Sequence, residues 1–452
     1  MKILIKNASY VVRDVNRIEK NVDILINGNK ISKVGKFSRT CLNKEDFKVI
    51  NASGKAVIPG LINSHTHLYQ HLLKGHQDNL SLVKWCEKVT FPLVGLILKE
   101  QSEGEAEIFS YYWSLLASVE MLRNGVTTFI NLGLTLNSVF KAWEDIGIRG
   151  IGAITYADMW IPDKLKLKKR QFKEKTLRFI NRWHLTPSSN PHIYIMLGPS
   201  APFLCSEDLL LWIREQATQK KIKIHIHLSE TQYEVELMKK ERGYRPVEYL
   251  KNIGFLGSDI TAVHCVHLNE KELEIIKKYK VIPIHCPKSN MKLASGIAPV
   301  NKMISMGIDV ALGTDGSASN DNQDIFEEMR TASFLQKVAS NNATAISAKD
   351  VFKMATEGGA LACGINAGTI DEGKLADIAL INLDRPHLLP LGDLINMIVY
   401  CVRGSDVETV LVNGQIIIRN GRLITLPEKE IIKEAKKIIR NKLNNTGIII
   451  NN

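Results

Sequence analysis

The chain has 452 residues, 45% of them hydrophobic and 23% charged, the balance of a globular protein with room for one large domain and a smaller one. No run approaches eighteen uninterrupted apolar residues, which excludes a membrane-spanning helix. The net charge of +12 is spread along the chain, and its two dense stretches, Lys164–Arg170 and Lys429–Lys442, fit solvated helix faces better than a nucleic-acid surface.

The alternating start Lys2-Ile3-Leu4-Ile5-Lys6 reads as a β-strand rather than an export signal, so a cytoplasmic protein is expected. Residues 22–36 read as strand, Asn27-Gly28 turn and strand, and the same pattern returns at Val407–Ile418 around Asn413-Gly414. Neither terminal piece is long enough to fold alone. Residues 1–58 and 366–452 are therefore expected to build one composite β-sandwich with a C-terminal helix, and residues 59–365 a second domain inserted between them. The cysteines at 41, 86, 205, 265, 286, 363 and 401 form no CxxC pair, and free thiols are expected.

Between the ends, short apolar runs at about 57–62, 126–132, 148–155, 192–198, 222–228, 260–265, 280–285 and 308–313 alternate with longer amphipathic stretches. One of these, Glu103–Arg123, is closed by Gly125 in the manner of a helix C-cap. The alternation fits an α/β fold, a (β/α)8 TIM-like barrel. A doubly wound sheet would alternate likewise, but its GxGxxG fingerprint after the first strand is absent.

The strand ends carry the chemistry. The first run leads into His65-Thr66-His67, two imidazoles on one side of a pleat. The fifth ends in His225-Ile226-His227, with Glu230 three residues on; the sixth ends in His264-Cys265; the eighth delivers Asp315 to a turn, Gly313-Thr314-Asp315-Gly316. In a barrel the C-terminal ends of strands one, five, six and eight converge on one mouth. Imidazoles and a carboxylate gathered there can chelate a borderline divalent metal. One His-x-His pair is weak support, but four strands serving one rim outweigh a reading of satisfied core histidines.

The order Pro59-Gly60-Leu61-Ile62-Asn63-Ser64-His65-Thr66-His67, then His225-x-His227-x-x-Glu230, then His264-Cys265, then Gly313-Thr314-Asp315-Gly316 resembles the amidohydrolase superfamily. More narrowly it resembles the branch of methylthioadenosine/S-adenosylhomocysteine deaminases, guanine deaminases and triazine hydrolases. Gly198–Phe203, Asn290–Val300, Ser317–Asp321 and Gly373–Ala379 extend the resemblance over nearly the whole chain. It implies one divalent metal, Zn²⁺ with Fe²⁺ as the other candidate, held by His65, His67, His227 and Asp315. Strand four, His192–Gly198, offers no lysine for a bridged metal pair. His225, His267, His285 and His76 are left as structural or supporting residues. The resemblance further implies that Asp315 accepts the proton of the attacking water, that Glu230 protonates the ring nitrogen beside the attacked carbon, and that His264 hydrogen-bonds the attacking oxygen.

Against the methylthioadenosine/S-adenosylhomocysteine deaminases, three adenosine-reading positions differ. Ser200 stands where a histidine contacts the purine, Val94 where a glutamate holds the ribose hydroxyls, and Ile154 where an arginine is expected. Losing such partners costs specificity heavily, so the expected substrate is a free amino-substituted N-heterocycle or a triazine. Gln70 would present an amide to the ring, Trp85 with Phe91 an apolar wall, and Ser200 and Ser319 further contacts. The expected protein is thus a metal-dependent deaminase of a small heterocycle, a homo-oligomer with no nucleic-acid or membrane partner. The alternatives are a methylthioadenosine/S-adenosylhomocysteine-type nucleoside deaminase, a triazine dechlorinase and, outside enzymes, a catalytically dead scaffold, against which the complete ligand set counts.

Overall fold

In the computed structural model, which describes residues 2–37, 47–102, 106–134, 137–165, 169–183 and 192–443, the chain forms two sheets. The first collects the strands near both ends: β1 (Lys2–Val12), β2 (Ile18–Asn27), β3 (Lys30–Gly35), β4 (Phe47–Asn51) and β5 (Lys55–Pro59). The second is built from β6 (Leu61–Thr66), β7 (Val126–Gly133), β8 (Arg149–Tyr156), β9 (Ile193–Pro199), β10 (Ile224–Leu228), β11 (Ile260–His264), β12 (Ile282–His285) and β13 (Ala311–Leu312). The chain then returns to the first sheet as β14 (Ile378–Asn382), β15 (Val407–Val412), β16 (Gln415–Arg419) and β17 (Arg422–Leu423).

The end sheet is nine-stranded and mixed, in the order β17-β16-β15-β14-β5-β1-β2-β3, with β4 beside β1. Its two halves join where β5 runs antiparallel to β14, Ile58 opposite Ala379. Both Asn-Gly hairpins form, and Asn413 and Gly414 have φ of 51° and 72°, as a type I′ turn requires. The turns also meet, because a Cβ on Gly414 would strike the carbonyl oxygen of Gly28. Ile31 of β3 and Ile416 of β16 lie in the same apolar cluster although they are far apart in the strand order. The sheet therefore curls over a shared core, as a sandwich does.

The inserted strands run parallel in sequential order from β6 to β13, with helices such as Ala106–Arg123, Asn137–Ile146, Glu207–Lys220, Glu270–Tyr279 and Ile325–Ala339 between or after them. This is a nearly closed (β/α)8 barrel. Its last strand meets its first where the Asp315 N–H donates to the His65 carbonyl oxygen at 3.0 Å. Phe129, Phe140 and Trp143 pack edge-on and tilted in the layer between strands and helices. Gly150 and Gly152 of β8 make room for them, since a Cβ at either would collide with Trp143 or Phe140.

Two strand readings differ from the sequence expectation. The run at 57–62 is two strands, because the Gly60 N–H bonds the Asp377 carbonyl while Leu61 N–H bonds that of Gly125. Gly60 is thus the step between sheets, and its neighbour Thr127 leaves no space for a Cβ there. The run at 308–313 contributes only Ala311–Leu312 as strand, paired with β12. Across the joint, buried Arg149 pairs with Asp377 and also donates to Asn413 Oδ1 at 3.3 Å, while Asp377 Oδ1 accepts the Asn413 N–H at 2.7 Å. Among the described residues no helix is long and apolar enough to cross a membrane. The described cysteines are free; Cys41 lies outside the described residues, as do Glu103–Glu105 of the expected helix and part of the Lys164–Arg170 run.

Candidate functional site

The strand ends deliver His65, His67, His227, His264 and Asp315 to one mouth, and the backbone turns sharply to do so. Ser229, His264, Cys265 and Asp315 have φ of 51°, 72°, 49° and 61°. Such left-handed conformations in non-glycine residues cost free energy and persist where surrounding contacts impose them.

Each imidazole has its outward nitrogen committed. His67 Nδ1 donates to the Leu132 carbonyl at 2.5 Å and His227 Nδ1 to the Ser200 carbonyl at 2.5 Å, while His65 Nδ1 lies 2.8 Å from His225 Nε2. The Nε2 atoms are left facing one another and Asp315. His65 Nε2 and His67 Nε2 are each 3.2 Å from Asp315 Oδ1, and His67 Nε2 is 3.3 Å from His227 Nε2. His65 Nε2 is buried and makes no hydrogen bond. Burial holds the His65 ring well below its usual pKa, and burial with the neighbouring His264 and His67 rings takes His227 down to about 3, so both are neutral bases. Lone pairs gathered this closely suit a cation shared among them. Donors spaced at about 3.3 Å suit the edges of a tetrahedron with metal–ligand bonds of about 2.0–2.1 Å. The residues fit a divalent metal, and His65, His67 and Asp315 form one three-donor group, His65, His227 and His264 another.

Asp315 is firmly held. Its Oδ2 accepts from Ser289 Oγ at 2.6 Å and Ser319 Oγ at 3.2 Å, and its Oδ1 accepts the Gly316 N–H at 2.8 Å. Beneath it the buried Gln323 accepts from Asn63 Nδ2, Thr66 Oγ1 and Thr314 Oγ1, and donates to Ser317 Oγ at 2.7 Å. Ser319 therefore stands behind Asp315, fully buried, and is not on the cavity wall, where a substrate contact was expected.

Glu230 lies 3.5 Å from His264 Nε2 through Oε2 and accepts from Ser295 Oγ at 3.3 Å through Oε1. Burial raises its pKa, which favours a carboxyl that keeps its proton. Its backbone is fixed from below, for Glu234 accepts the N–H groups of Ser229 and Glu230 at 3.0 and 2.8 Å. His264 Nδ1 donates to Asn290 Oδ1 at 2.8 Å, which leaves Nε2 bare toward the cavity.

His67, His227, Glu230, His264 and Asp315 line a cavity of about 500 Å³, with Gln70, Trp85, Phe91, Val94, Ser200 and Phe172 among its other walls. Gln70 Oε1 and Trp85 Nε1 are buried without a hydrogen-bond partner, as are the hydroxyls of Thr90 and Thr155, which also line it. Ile154 does not line the cavity; its neighbour Thr155 does. Sequence reasoning missed Thr90, Thr155, Ser289 and Gln323. Ser289 was findable, since Cys286-Pro287-Lys288-Ser289 follows the seventh strand directly, at the same rim. Gln323 carried no such signal.

The comparisons agree with this geometry. The model of a family described as the amidohydrolase family matches residues 56–417. A 5-methylthioadenosine/S-adenosylhomocysteine deaminase from Thermococcus sibiricus is 42% identical over 92% of this chain and 94% of its own length. A 5′-deoxyadenosine deaminase from Methanosarcina acetivorans is 38% identical over 96% of both chains. Among solved structures, a zinc-bound adenosine deaminase from Xanthomonas campestris superimposes with a TM-score of 0.89 over 98% of both chains at 27% identity. An atrazine chlorohydrolase from Arthrobacter aurescens has the same fold, with a TM-score of 0.89 over 97% of this chain and 100% of its own, at 24% identity.

Proposed function

From the premise that this chain belongs to the amidohydrolase family and is a deaminase-type hydrolase, we propose that it removes the 6-amino group of an adenosine nucleoside altered at its 5′ position. The observation that carries this reading is the whole-length similarity, at 42% and 38% identity, to deaminases named for such nucleosides. It displaces the triazine reading favoured above, because a likeness at 24% identity to a triazine enzyme speaks for the fold alone. The absence of a carboxylate at Val94 is compatible with a nucleoside if neutral groups hold the ribose. Gln70 Oε1, Trp85 Nε1 and the Thr90 and Thr155 hydroxyls are buried, unpartnered and beside the cavity, and a polar site rewards a ligand that pairs them.

We assign one zinc ion to His65, His67, His227 and Asp315. When bound, such an ion lowers the pKa of water from 15.7 toward about 7 and acts as a Lewis acid. The chain's own groups do the rest. Asp315 takes the proton of the attacking water, its carboxylate oriented by the Ser289 and Ser319 hydroxyls on Oδ2. His264 Nε2, bare because Nδ1–H is committed to Asn290, accepts the water's second hydrogen bond and aims its oxygen at C6. Glu230 places its proton on the adjacent ring nitrogen, which makes C6 electrophilic. On collapse Asp315 returns its proton to the amino group, which leaves as ammonia. The ring nitrogen keeps the proton it received, and the proton of the new C6 hydroxyl passes to Glu230 as the carbonyl forms.

Ammonia release by the zinc-loaded enzyme across adenosine, methylthioadenosine, S-adenosylhomocysteine, 5′-deoxyadenosine, adenine, guanine and melamine tests the proposal. Turnover concentrated on the 5′-altered nucleosides is the expected result. Turnover of the free bases or melamine alone would overturn it in favour of the second reading, a free heterocycle, for which Val94 and Ser200 speak.

A further inference from the structure

Behind the site, His225 projects from β10 two residues before His227 and lies fully buried. Its Nε2 is 2.8 Å from His65 Nδ1, and its Nδ1 is 2.7 Å from Thr261 Oγ1, on the adjacent strand β11. Thr261 Oγ1 is in turn 3.2 Å from the Ile224 carbonyl oxygen. We infer that Thr261 and His225 are positioning residues that fix the proton of His65 on Nδ1 and so hold its Nε2 as a bare donor toward the metal.

The direction of the chain follows from counting protons. A backbone carbonyl can only accept, and Thr261 Oγ1 is placed to donate its single proton to Ile224 O at 3.2 Å. Oγ1 can then only accept, and it takes Nδ1–H from His225. A neutral imidazole protonated on Nδ1 is bare on Nε2, so His225 Nε2 accepts Nδ1–H from His65. The last lone pair, on His65 Nε2, points into the cluster of Nε2 atoms and Asp315 Oδ1. In the reversed pattern Thr261 would donate to His225, and His65 would carry its proton on Nε2. That proton would point at Asp315 Oδ1, 3.2 Å away, and occupy the metal position, so His65 could not serve as a ligand. His67 and His227 need no such device, since carbonyl oxygens hold their Nδ1–H groups directly. His65 alone meets another ring, and a ring can accept or donate. The threonine removes that ambiguity, as partners of metal-bound histidines generally do.

The inference rests on the metal ligands proposed above, and the experiment separates the two. Zinc affinity is measured by competition with a chromophoric chelator for the wild type, His227→Ala, Thr261→Val and Thr261→Ser, with far-UV circular dichroism as a folding control. The wild type should bind one equivalent and His227→Ala should lose it. Thr261→Val, which keeps the shape and removes the hydroxyl, should bind about 10–100-fold more weakly, and Thr261→Ser should bind as the wild type does. Thr261→Val binding as tightly as the wild type overturns the relay and leaves the ligand set standing. A wild type that binds no zinc overturns both. Should Thr261→Val fail to fold, long-range nitrogen–proton spectra of zinc-loaded, ¹⁵N-histidine-labelled wild type decide, because His225 is not itself a ligand. A proton on His225 Nδ1 supports the relay; one on Nε2 overturns it.

Discussion

Asp315 and His65 meet twice: the Asp315 N–H donates to the His65 carbonyl oxygen at 3.0 Å, and Asp315 Oδ1 lies 3.2 Å from His65 Nε2. The first contact brings the end of the barrel's last strand to its first, and the second places a carboxylate oxygen beside an imidazole lone pair. Closure of the fold and assembly of the proposed metal donors are therefore one geometric event. Gly313 permits it, since a Cβ there would sit 2.8 Å from the His65 backbone nitrogen. Asp315→Asn is expected to abolish ammonia release, because the amide neither neutralises a cation nor accepts the water's proton. His227→Ala should abolish it as well and strip the metal, measured by elemental analysis of dialysed protein. Wild-type turnover in either variant would remove the assigned site.

Glu230→Gln separates acid from ligand. The amide keeps the shape and the Ser295 contact but cannot give up a proton at neutral pH. Metal content should be unchanged and kcat should fall by about 10²–10⁴. A variant that kept full turnover would take the acid role away from this residue.

Ser289→Ala tests the support behind Asp315. It deletes the 2.6 Å hydrogen bond to Oδ2 and leaves Ser319 as the remaining hydroxyl on that oxygen. Metal affinity or kcat should drop about 10–100-fold, with Ser289→Thr retaining most of the function because its hydroxyl can occupy the same place. Equal loss in both variants would point to packing rather than to the hydrogen bond.

How far the sequence reached is clear from these residues. Strand ends that carry histidine or aspartate were legible because alternation and apolar runs locate the strands, and a barrel sends all their ends to one rim. The curled end sheet was legible from two Asn-Gly turns, though the break at Gly60 was not. Its cause is a carbonyl of Asp377, more than three hundred positions away. Gln323 and Thr261 were hidden for a similar reason. Their importance lies in which buried donors and acceptors they meet across strands, and no periodicity encodes that. Ser319 was misplaced because a serine near Asp315 can face the cavity or the carboxylate, and the short Ser317–Asn320 helix turns it to the carboxylate.

Arg149 and Asp377 tie the barrel to the end sheet through a fully buried ion pair. Arg149→Met leaves Asp377 as an uncompensated buried charge, which typically costs about 3–5 kcal/mol. Chemical denaturation should show that loss, while the double change Arg149→Met with Asp377→Leu should recover much of it. A single variant as stable as the wild type would mean that water already screens the joint.

Glu328 supplies the pH dependence. It is buried under the Asp315 loop, accepts from Asn320 Nδ2 at 2.6 Å, and burial lifts its pKa to about 8 against the Lys288 charge and the Asn320 hydrogen bond. An unfolded glutamate titrates near 4.3. Between that value and about 8 the folded chain holds a proton that the unfolded chain has released. Stability therefore falls as pH rises through this window, and below it the residue has no effect on the slope. In Glu328→Gln the side chain stays neutral at every pH. Urea midpoints of variant and wild type measured from pH 5 to pH 9 should converge or cross in the variant's favour toward the alkaline end. A constant difference between the two proteins over that range would show that Glu328 is ionised throughout, and that its hydrogen bonds, rather than its burial, set its charge.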